Sequence, residues 1–292
     1  SKIVAYWKQK DARRAYTTCA GWPELPGSDY HVLHARNGKP IRLHGGGPLG
    51  PTTAFDYSEN IAGCDVPIVA HELGQWCVYP NYDEIAKYTG TLRARNFESF
   101  RDSLAAHHMA GMDKAFSKAS GMLQLLLYKA DMEAVLRTKG AGGYQLLALQ
   151  DFPGQGSALE GFVDAFWDSK GYVTPEQFRE FCSETVPLAR SDKFTFTTDE
   201  IMRTRIDIAH FGKEPLKDVV ARWVITRGDG GKVDSGEWKV PEIPIGNGTV
   251  LGNIAFNLNG IDAPGKFTLT VSLKDTPFKN HWNFWVYPAK VE

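Results

Sequence analysis

Cysteine is scarce in this sequence and is not arranged for metal binding. The 292 residues include four cysteines, and no two of them have C-x-x-C spacing. A zinc knuckle or a disulfide-stapled small domain needs paired cysteines, so the sequence favours neither. We expect four free and mostly buried thiols, at Cys19, Cys64, Cys77 and Cys182.

An excess of one charge and long apolar runs are also absent. Lys and Arg number 33 and Asp and Glu number 34, which gives a net charge of -1. A basic stripe would be expected for binding to nucleic acid or an anionic membrane, so neither is a predicted partner. The longest apolar runs, such as GMLQLLLYKA, are too short to span a bilayer, and the first residues, SKIVAYWKQKD, lack the apolar region of a signal peptide.

The pattern of apolar residues changes along the chain. Up to about residue 191, buried apolar strands such as VPIVA (66–70) and GYQLLALQD (143–151) alternate with amphipathic helices, the longest over 112–138. From residue 192 short alternating strands follow one another, which predicts about seven strands of a sandwich without a disulfide. We therefore predict two domains, 1–191 with α/β architecture and 192–292 with an immunoglobulin-like β-sandwich.

Three local features add to this prediction. The segment RAYTTCAG (14–21) is rich in strand-forming residues and is predicted as the first strand. The Gly/Pro-rich stretch over 22–65 is too long for a simple connection, and loops of that size are usually functional. Thr174, Pro175 and Gln177 have the spacing of a capping box, which predicts that a helix begins at Pro175.

The segment HELGQ (71–75) is one residue short of the zinc-protease pattern H-E-x-x-H. That pattern places two His ligands on one face of a helix. Here the second position is Gln75, a poor zinc ligand, and Gly74 would weaken a helix at its centre. The preceding VPIVA favours a strand, so the sequence predicts no zinc-hydrolase site and no metal.

Polar side chains follow two of the predicted strands. Glu72 comes directly after VPIVA, and Gln150 and Asp151 end the strand YQLLALQ. The C-terminal ends of parallel strands are where α/β barrels carry their active sites, which favours a functional role for Glu72. A strand-end carboxylate can also cap a helix or pair with an Arg, and Asp151 can equally be a turn residue.

The segments VPIVAHELGQWCVYPNYDEIAKYTG, GYQLLALQDFPGQGSALEGFVDAFWDSKG and NHWNFWVYP resemble the C-terminal half of family 2 glycoside hydrolases, the β-galactosidase and β-glucuronidase relatives. In that family a (β/α)8 barrel is followed by a β-sandwich. The resemblance implies an α/β partial (β/α)8 TIM-type barrel containing strands six to eight, followed by an all-β immunoglobulin-like sandwich. The family ends strand seven with Glu, an aromatic or aliphatic residue and Gly, so the resemblance implies Glu72 as the catalytic nucleophile.

The resemblance also implies what lies outside the sequence. A retaining glycosidase needs two carboxyl groups about 5–5.5 Å apart. The family's acid/base is the Glu of an Asn-Glu pair, and no such pair occurs near the start of this chain. The implied protein is therefore the C-terminal part of an exo-acting glycan hydrolase, inactive alone, without a cofactor, and periplasmic or secreted. Its implied partners are a carbohydrate substrate and either the rest of the parent enzyme or a second copy at the open barrel edge. The alternative is a non-catalytic carbohydrate-binding or scaffolding protein derived from a glycosidase barrel.

Under this hypothesis the residues around Glu72 bind the sugar. His71 and Gln75 would orient Glu72 or bond sugar hydroxyls, although His71 can equally pack inward. Aromatic side chains would stack on the sugar ring, and residues beside glycines or at strand ends would line the subsite. These further candidates are Trp76, Trp22, His44, Gln150 and Asp151.

Overall fold

A computed structural model describes residues 1–21, 23–43, 50–152 and 158–290. Strands account for 36% of the chain and helices for 21%, so the protein is mostly β. Within the described ranges, no helix has both the length and the apolar character needed to cross a membrane.

The N-terminal part combines helices with short strands. Its helices are α1 (Lys2–Lys10), a 3-10 helix (Tyr82–Lys87), α2 (Arg95–Ala106), α3 (Asp113–Arg137) and α4 (Pro175–Arg179). Its strands are β1 (His31–Leu33), β2 (Ala35–Arg36), β3 (Lys39–Pro40), β4 (Ile68–Leu73) and β5 (Ala141–Leu146).

A three-stranded parallel sheet forms the centre of this part. Its order is β1-β4-β5, and both neighbouring pairs are parallel. The long helix α3 packs against it, and Tyr128, Met132 and Val135 of α3 join the strand residues Ile68 and Leu73 in one buried core. The carboxyl ends of all three strands therefore lie at the same edge of the sheet.

The predicted partial (β/α)8 barrel is wrong. A barrel strand is followed by a helix that packs on the outside, yet the described residues between β1 and β4 contain no α-helix. β1 has only three residues, and β5 is followed only by the five-residue α4. Three short strands with one long helix packed against them form an open sheet, not a segment of a closed barrel.

Two antiparallel sheets form the C-terminal part. The eight strands are β6 (Thr185–Ser191), β7 (Thr195–Thr197), β8 (Ile201–His210), β9 (Leu216–Arg227), β10 (Lys232–Ile243), β11 (Gly246–Asn257), β12 (Gly265–Leu273) and β13 (Lys279–Tyr287). Five of them form a sheet of order β10-β9-β12-β13-β7, in which only the short pairing of β13 with β7 is parallel, and three form a sheet of order β11-β8-β6.

This arrangement confirms the predicted β-sandwich. Every second residue of β12 from Phe267 to Leu273 is buried, as expected for a strand with one face on a core. β6 pairs with β8 along its whole length, so the sandwich includes residues from Thr185 onward. The division into domains 1–191 and 192–292 stays a prediction.

Three local predictions have different outcomes. The capping box is confirmed, because the Thr174 side chain accepts from the Gln177 amide and the Gln177 side chain accepts from Thr174. The strand over 14–21 is wrong: within it only Ala20 makes an isolated bridge, to Val32 of β1. The thiols are less buried than expected, since Cys77 is exposed and the other three are half-buried.

A buried ionic network joins α3 to the sandwich. Glu133 of α3 is 1% exposed and pairs with Lys129 and Arg137 of the same helix. Its carboxylate also accepts hydrogen bonds from Asn280 Nδ2 at 2.8 Å and Trp282 Nε1 at 3.0 Å, both on β13. Burial alone would raise the pKa of Glu133, but Lys129 and Arg137 outweigh that effect and lower it. The carboxylate is therefore held ionised between the two parts of the molecule.

Candidate functional site at the carboxyl edge of the parallel sheet

Glu72 lies near the end of β4, where the strand leaves its regular geometry. The pairing of β4 with β5 shifts register between Ala70 and Leu73. Glu72 itself has a φ of 53°, in the left-handed region that non-glycine residues rarely adopt. Such irregularities re-aim side chains at sheet ends and occur often beside active sites. The side chain of Glu72 is 31% exposed at the carboxyl edge.

His34 bonds the carboxylate of Glu72, and Arg42 bonds its backbone oxygen. His34, just after β1, places Nε2 2.7 Å from Glu72 Oε2. Arg42 Nη1 donates to the backbone oxygen of Glu72 at 3.0 Å and lies 3.8 Å from Oε2. These contacts hold Glu72 through its Oε2 atom and its backbone oxygen.

His71, the residue before Glu72, also lies near the carboxylate. Its Nδ1 lies 2.9 Å from Gln145 Oε1 on β5, and a carbonyl oxygen can only accept, so Nδ1 carries the proton. The unprotonated Nε2 then lies 3.8 Å from Glu72 Oε1. The rings of His71 and His34 are 4.5 Å apart, centre to centre. The sequence left open whether His71 packs inward; its side chain is 19% exposed and faces the cluster.

The turn after Glu72 is shaped by close packing on α3. Gly74 has a φ of 99°, and a Cβ there would lie 2.2 Å from Cζ of Tyr128. Only glycine combines that conformation with so close an approach. The Tyr128 hydroxyl in turn donates to the backbone oxygen of Glu160 at 2.8 Å. The ring of Tyr128 therefore fixes the path of the chain that follows Glu72.

A buried acid lies beneath the segment that carries Arg42. Asp131 of α3 is fully buried, and its Oδ1 accepts from the Leu43 amide at 3.0 Å. Burial raises the pKa of Asp131 to about 6, although that amide and the charge of Arg42 offset part of the effect. Asp131 ties the chain next to Arg42 to the long helix.

The predicted binding residues next to Glu72 lie in two environments. Gln75 is half-buried with a φ of 63°. Trp76 packs against the core of the N-terminal part, and its backbone oxygen accepts from Gln124 at 2.6 Å. Trp22 and His44 lie outside the described residues. The binding roles of all four stay predictions.

Asp151 belongs to a separate buried cluster. It is 3% exposed, pairs with Lys170 at 2.6 Å and accepts from the Gly161 amide at 2.9 Å. Burial raises its pKa, and the charge of Lys170 offsets part of that rise. Gln150 is half-buried and forms a bridge with Val163. The contacts described for these two residues do not include the Glu72 carboxylate.

Sequence reasoning did not find His34 and Arg42. Both lie in the stretch that was predicted as loop, because the apolar run of β1 is only three residues long. The usable signal was the same one that identified Glu72, a polar residue directly after an apolar run. In parallel pairing Leu33 is opposite Ala70, so the next residues, His34 and His71, come side by side.

Two groups of side chains in the described part of the chain could hold a metal ion. In one group, His34, His71 and Glu72 each offer a ligand atom, and these atoms all lie within 4.8 Å of one another. A second group of the same compactness lies elsewhere in this part of the chain, and its members are Glu24, His31 and Cys64. In that second group Glu24 is held by Arg36, whose Nε lies 3.0 and 3.1 Å from the two carboxylate oxygens.

Comparison with known families gives one match. A family model described as a domain of unknown function, DUF8488, matches residues 200–288, which lie in the sandwich. Among curated proteins, none matches the chain in sequence.

Several solved structures show partial similarity. The β-glucuronidase of Parabacteroides merdae is 14% identical over 35% of this chain and 14% of its own, with a TM-score of 0.27. The β-D-mannosidase of Dictyoglomus thermophilum is 14% identical over 75% of this chain and 27% of its own, with a TM-score of 0.47. The CARDB domain of the PF1109 protein of Pyrococcus furiosus is 8% identical over 36% of this chain and 93% of its own, with a TM-score of 0.28. The chain thus spans about a quarter or less of the length of either glycosidase.

Proposed function

We propose that residues 1–292 supply the nucleophile of a retaining, exo-acting glycoside hydrolase and that Glu72 is that nucleophile. One observation carries the proposal: at the carboxyl edge of a parallel sheet the Glu72 carboxylate lies 2.7 Å from His34 Nε2 and 3.8 Å from Arg42 Nη1, and it is one-third exposed. Fixed orientation of this kind is what a displacement reaction requires, because the attacking atom must be held in line with the bond that breaks.

The proposed step follows from the two oxygens of the carboxylate. Oε2 accepts from His34, which leaves Oε1 to attack the anomeric carbon. A C1–Oε1 ester bond forms as the bond from C1 to the leaving oxygen breaks, and water later hydrolyses the ester. His34 and Arg42 would stabilise the negative charge as Glu72 is released again.

Departure of an ordinary sugar alcohol also needs a proton. The family's acid/base, the Glu of an Asn-Glu pair, has no counterpart near the start of this chain. We place the acid/base in polypeptide outside residues 1–292, as part of the proposal. The isolated chain should then fail to cleave alkyl glycosides but should react where the leaving group needs no proton.

A covalent-labelling experiment tests this directly. The chain is incubated with 2-deoxy-2-fluoro glycosides of gluco, galacto, manno and glucurono configuration that carry a dinitrophenolate leaving group, and its intact mass is followed. The fluorine slows hydrolysis of the ester, so the intact mass should rise by one sugar per chain. Peptide mapping should then locate that sugar on Glu72. Glu72→Gln should take up none, whereas Glu176→Gln, a control at an exposed carboxylate (73% exposed), should label like wild type. Equal labelling of Glu72→Gln, or no label from any of the four sugars, would reject the assignment.

A further inference from the structure

We infer that His34, His71 and Glu72 form a binding site for one divalent transition-metal ion of the Zn²⁺ class. The site is defined by the positions of its ligand atoms and stands without the proposed hydrolase activity. Its consequence rests on that activity: an ion bound there occupies the carboxylate that would otherwise attack the sugar. Metal binding and glycosyl transfer at Glu72 are then mutually exclusive.

The spacing of the ligand atoms fits one ion. His34 Nε2 lies 2.7 Å from Glu72 Oε2, His71 Nε2 lies 3.8 Å from Glu72 Oε1, and all three residues have ligand atoms within 4.8 Å of one another. With metal–ligand bonds of about 2.0–2.2 Å, the ligand atoms of a tetrahedral zinc ion lie roughly 3.3–3.6 Å apart. Movements of about 1 Å in side chains that are one-fifth to one-third exposed would bring the atoms to that distance.

The backbone brings the two imidazoles together. β1 and β4 are adjacent parallel strands, with Val32 opposite Val69 and Leu33 opposite Ala70. His34 and His71 follow at the next position of this register. His71 lies on β4 and His34 directly follows β1, and ligands positioned by strands are held more rigidly than ligands on loops. The pairing of β1 with β4 therefore brings the two imidazoles together.

Gln145 prepares His71 for a metal. In metalloproteins a ligating His almost always donates its other ring N–H to an oxygen acceptor, which fixes the tautomer. The bond from His71 Nδ1 to Gln145 Oε1 at 2.9 Å is this arrangement, and it leaves a lone pair on Nε2, which lies 3.8 Å from Glu72 Oε1. At His34 the proton on Nε2 bonds Glu72 Oε2, so an ion at that nitrogen must displace this proton to solvent or to Nδ1.

The ligand set indicates the type of ion. Two imidazoles and one carboxylate suit Zn²⁺, Co²⁺, Ni²⁺ or Fe²⁺, whereas Mg²⁺ and Ca²⁺ prefer oxygen ligands alone. Three protein ligands leave at least one position for water, as in sites that are not purely structural. The guanidinium of Arg42, 3.8 Å from Oε2, repels a cation and should limit affinity. We therefore expect reversible binding of a single ion, with Mg²⁺ as a weak competitor.

The primary test measures metal binding to the full chain. Calorimetric titration with Zn²⁺ should show a site that is lost in His71→Ala and in Glu72→Gln, with circular dichroism as the check on folding. Gln145→Leu, which removes only the outer partner, should weaken that site about 10- to 100-fold. His31→Ala serves as the matched control, because it disables the second group, Glu24, His31 and Cys64. Co²⁺ at the inferred site should show visible d–d bands without a thiolate-to-metal charge-transfer band.

The results separate the alternatives. Absence of Zn²⁺ binding, or binding that survives His71→Ala and Glu72→Gln but is lost in His31→Ala, overturns the inference. In the fluoroglycoside experiment saturating Zn²⁺ should slow labelling at least tenfold, and a chelator should restore it. Labelling unchanged by bound Zn²⁺ would refute mutual exclusion. Binding of Zn²⁺ without any labelling would leave the metal site supported and the proposed function rejected.

Discussion

Glu84 is a buried acidic residue with a raised pKa. It lies in the 3-10 helix, is 4% exposed, and its Oε2 has no hydrogen-bond partner in the described part of the chain. Burial, and then the charges of Asp151 and Asp164, raises the pKa of Glu84 from 4.5 to about 7. Between these two pH values the folded protein binds more protons at this group than the unfolded chain does. Its contribution to stability therefore falls as the pH rises from about 4.5 to 7.

Replacing Glu84 by Gln should remove this dependence. At pH 8 we expect Glu84→Gln to be more stable than wild type by about 1–3 kcal/mol, since each pKa unit corresponds to about 1.4 kcal/mol. At pH 4 Glu84 is largely protonated in both the folded and the unfolded wild-type protein. Wild type and Glu84→Gln should then be equally stable. Urea unfolding at pH 4, 6 and 8 measures the difference. The neighbouring Asp83→Asn is the control, because Asp83 is 75% exposed, and a difference for Glu84→Gln that does not change with pH would contradict the raised pKa.

At the scale of elements, the contact between the end of β4 and α3 sets the position and orientation of the candidate site. The turn at Gly74 lies against the ring of Tyr128, which is 1% exposed. The same helix holds the segment next to Arg42 through Asp131. Two sides of the Glu72 cluster are thus positioned by one face of α3.

Gly74→Ala should disrupt this contact. The new Cβ would meet Cζ of Tyr128 at 2.2 Å in a backbone conformation that alanine rarely adopts. We expect a loss of about 2–4 kcal/mol in the free energy of unfolding from overpacking and strain together. Gly90→Ala is the control, because a Cβ there meets nothing within 4 Å and its φ is not in the left-handed region. Chemical denaturation of both variants checks this, and equal stabilities would refute the role of the contact.

The elements that sequence reasoning found are those whose local pattern is strong. The strand at 66–70, the helix over 112–138 and the sandwich strands all have clear periodicity, and the structure contains β4, α3 and eight sandwich strands. The barrel was implied by the family resemblance; the apolar strands themselves show that a parallel sheet exists but not how many strands it has or whether it closes. The segment 14–21 has strand propensity without a partner along its length.

Within the candidate site, only the residues contiguous with β4 were predictable. Glu72 and His71 follow a recognisable strand, whereas His34 is 38 positions away from Glu72 and joins it only through β1–β4 pairing. H-E-x-x-H was dismissed as a metal motif because Gln75 stands at its last position. The structure supplies the second imidazole from a neighbouring strand, a relation that no spacing within one segment can reveal.

At the scale of the whole molecule, Glu133 is the residue on which both parts depend. Its carboxylate compensates Lys129 and Arg137 of α3 and accepts from Asn280 and Trp282 of β13. Removing one charge from a buried network leaves the others uncompensated in a low-dielectric interior, which costs more than the original network contributed.

Glu133→Gln should therefore be strongly destabilising, by about 3–5 kcal/mol, although it preserves the shape of the side chain. Urea unfolding followed by tryptophan fluorescence and by circular dichroism measures the loss and shows whether the two signals still change together. Glu180→Gln is the control, because it also removes a paired carboxylate, but one that is only half-buried. Glu180 pairs with His281 and Lys279 at the edge of the same region. A loss for Glu133→Gln no larger than that of the control would contradict the central role of the network.

The link between Glu133 and β13 also limits how such a chain can evolve by recombination. A sandwich that recombined with an unrelated neighbour would arrive with Asn280 and Trp282 lacking the acid they bond, and α3 would keep Glu133 with its two cations but lose both donors of β13. Descendants of such an exchange would need compensating substitutions on both sides before they folded well. The helix and the sandwich should accordingly be inherited as a pair, and gene fusions that preserve one of them should preserve the other.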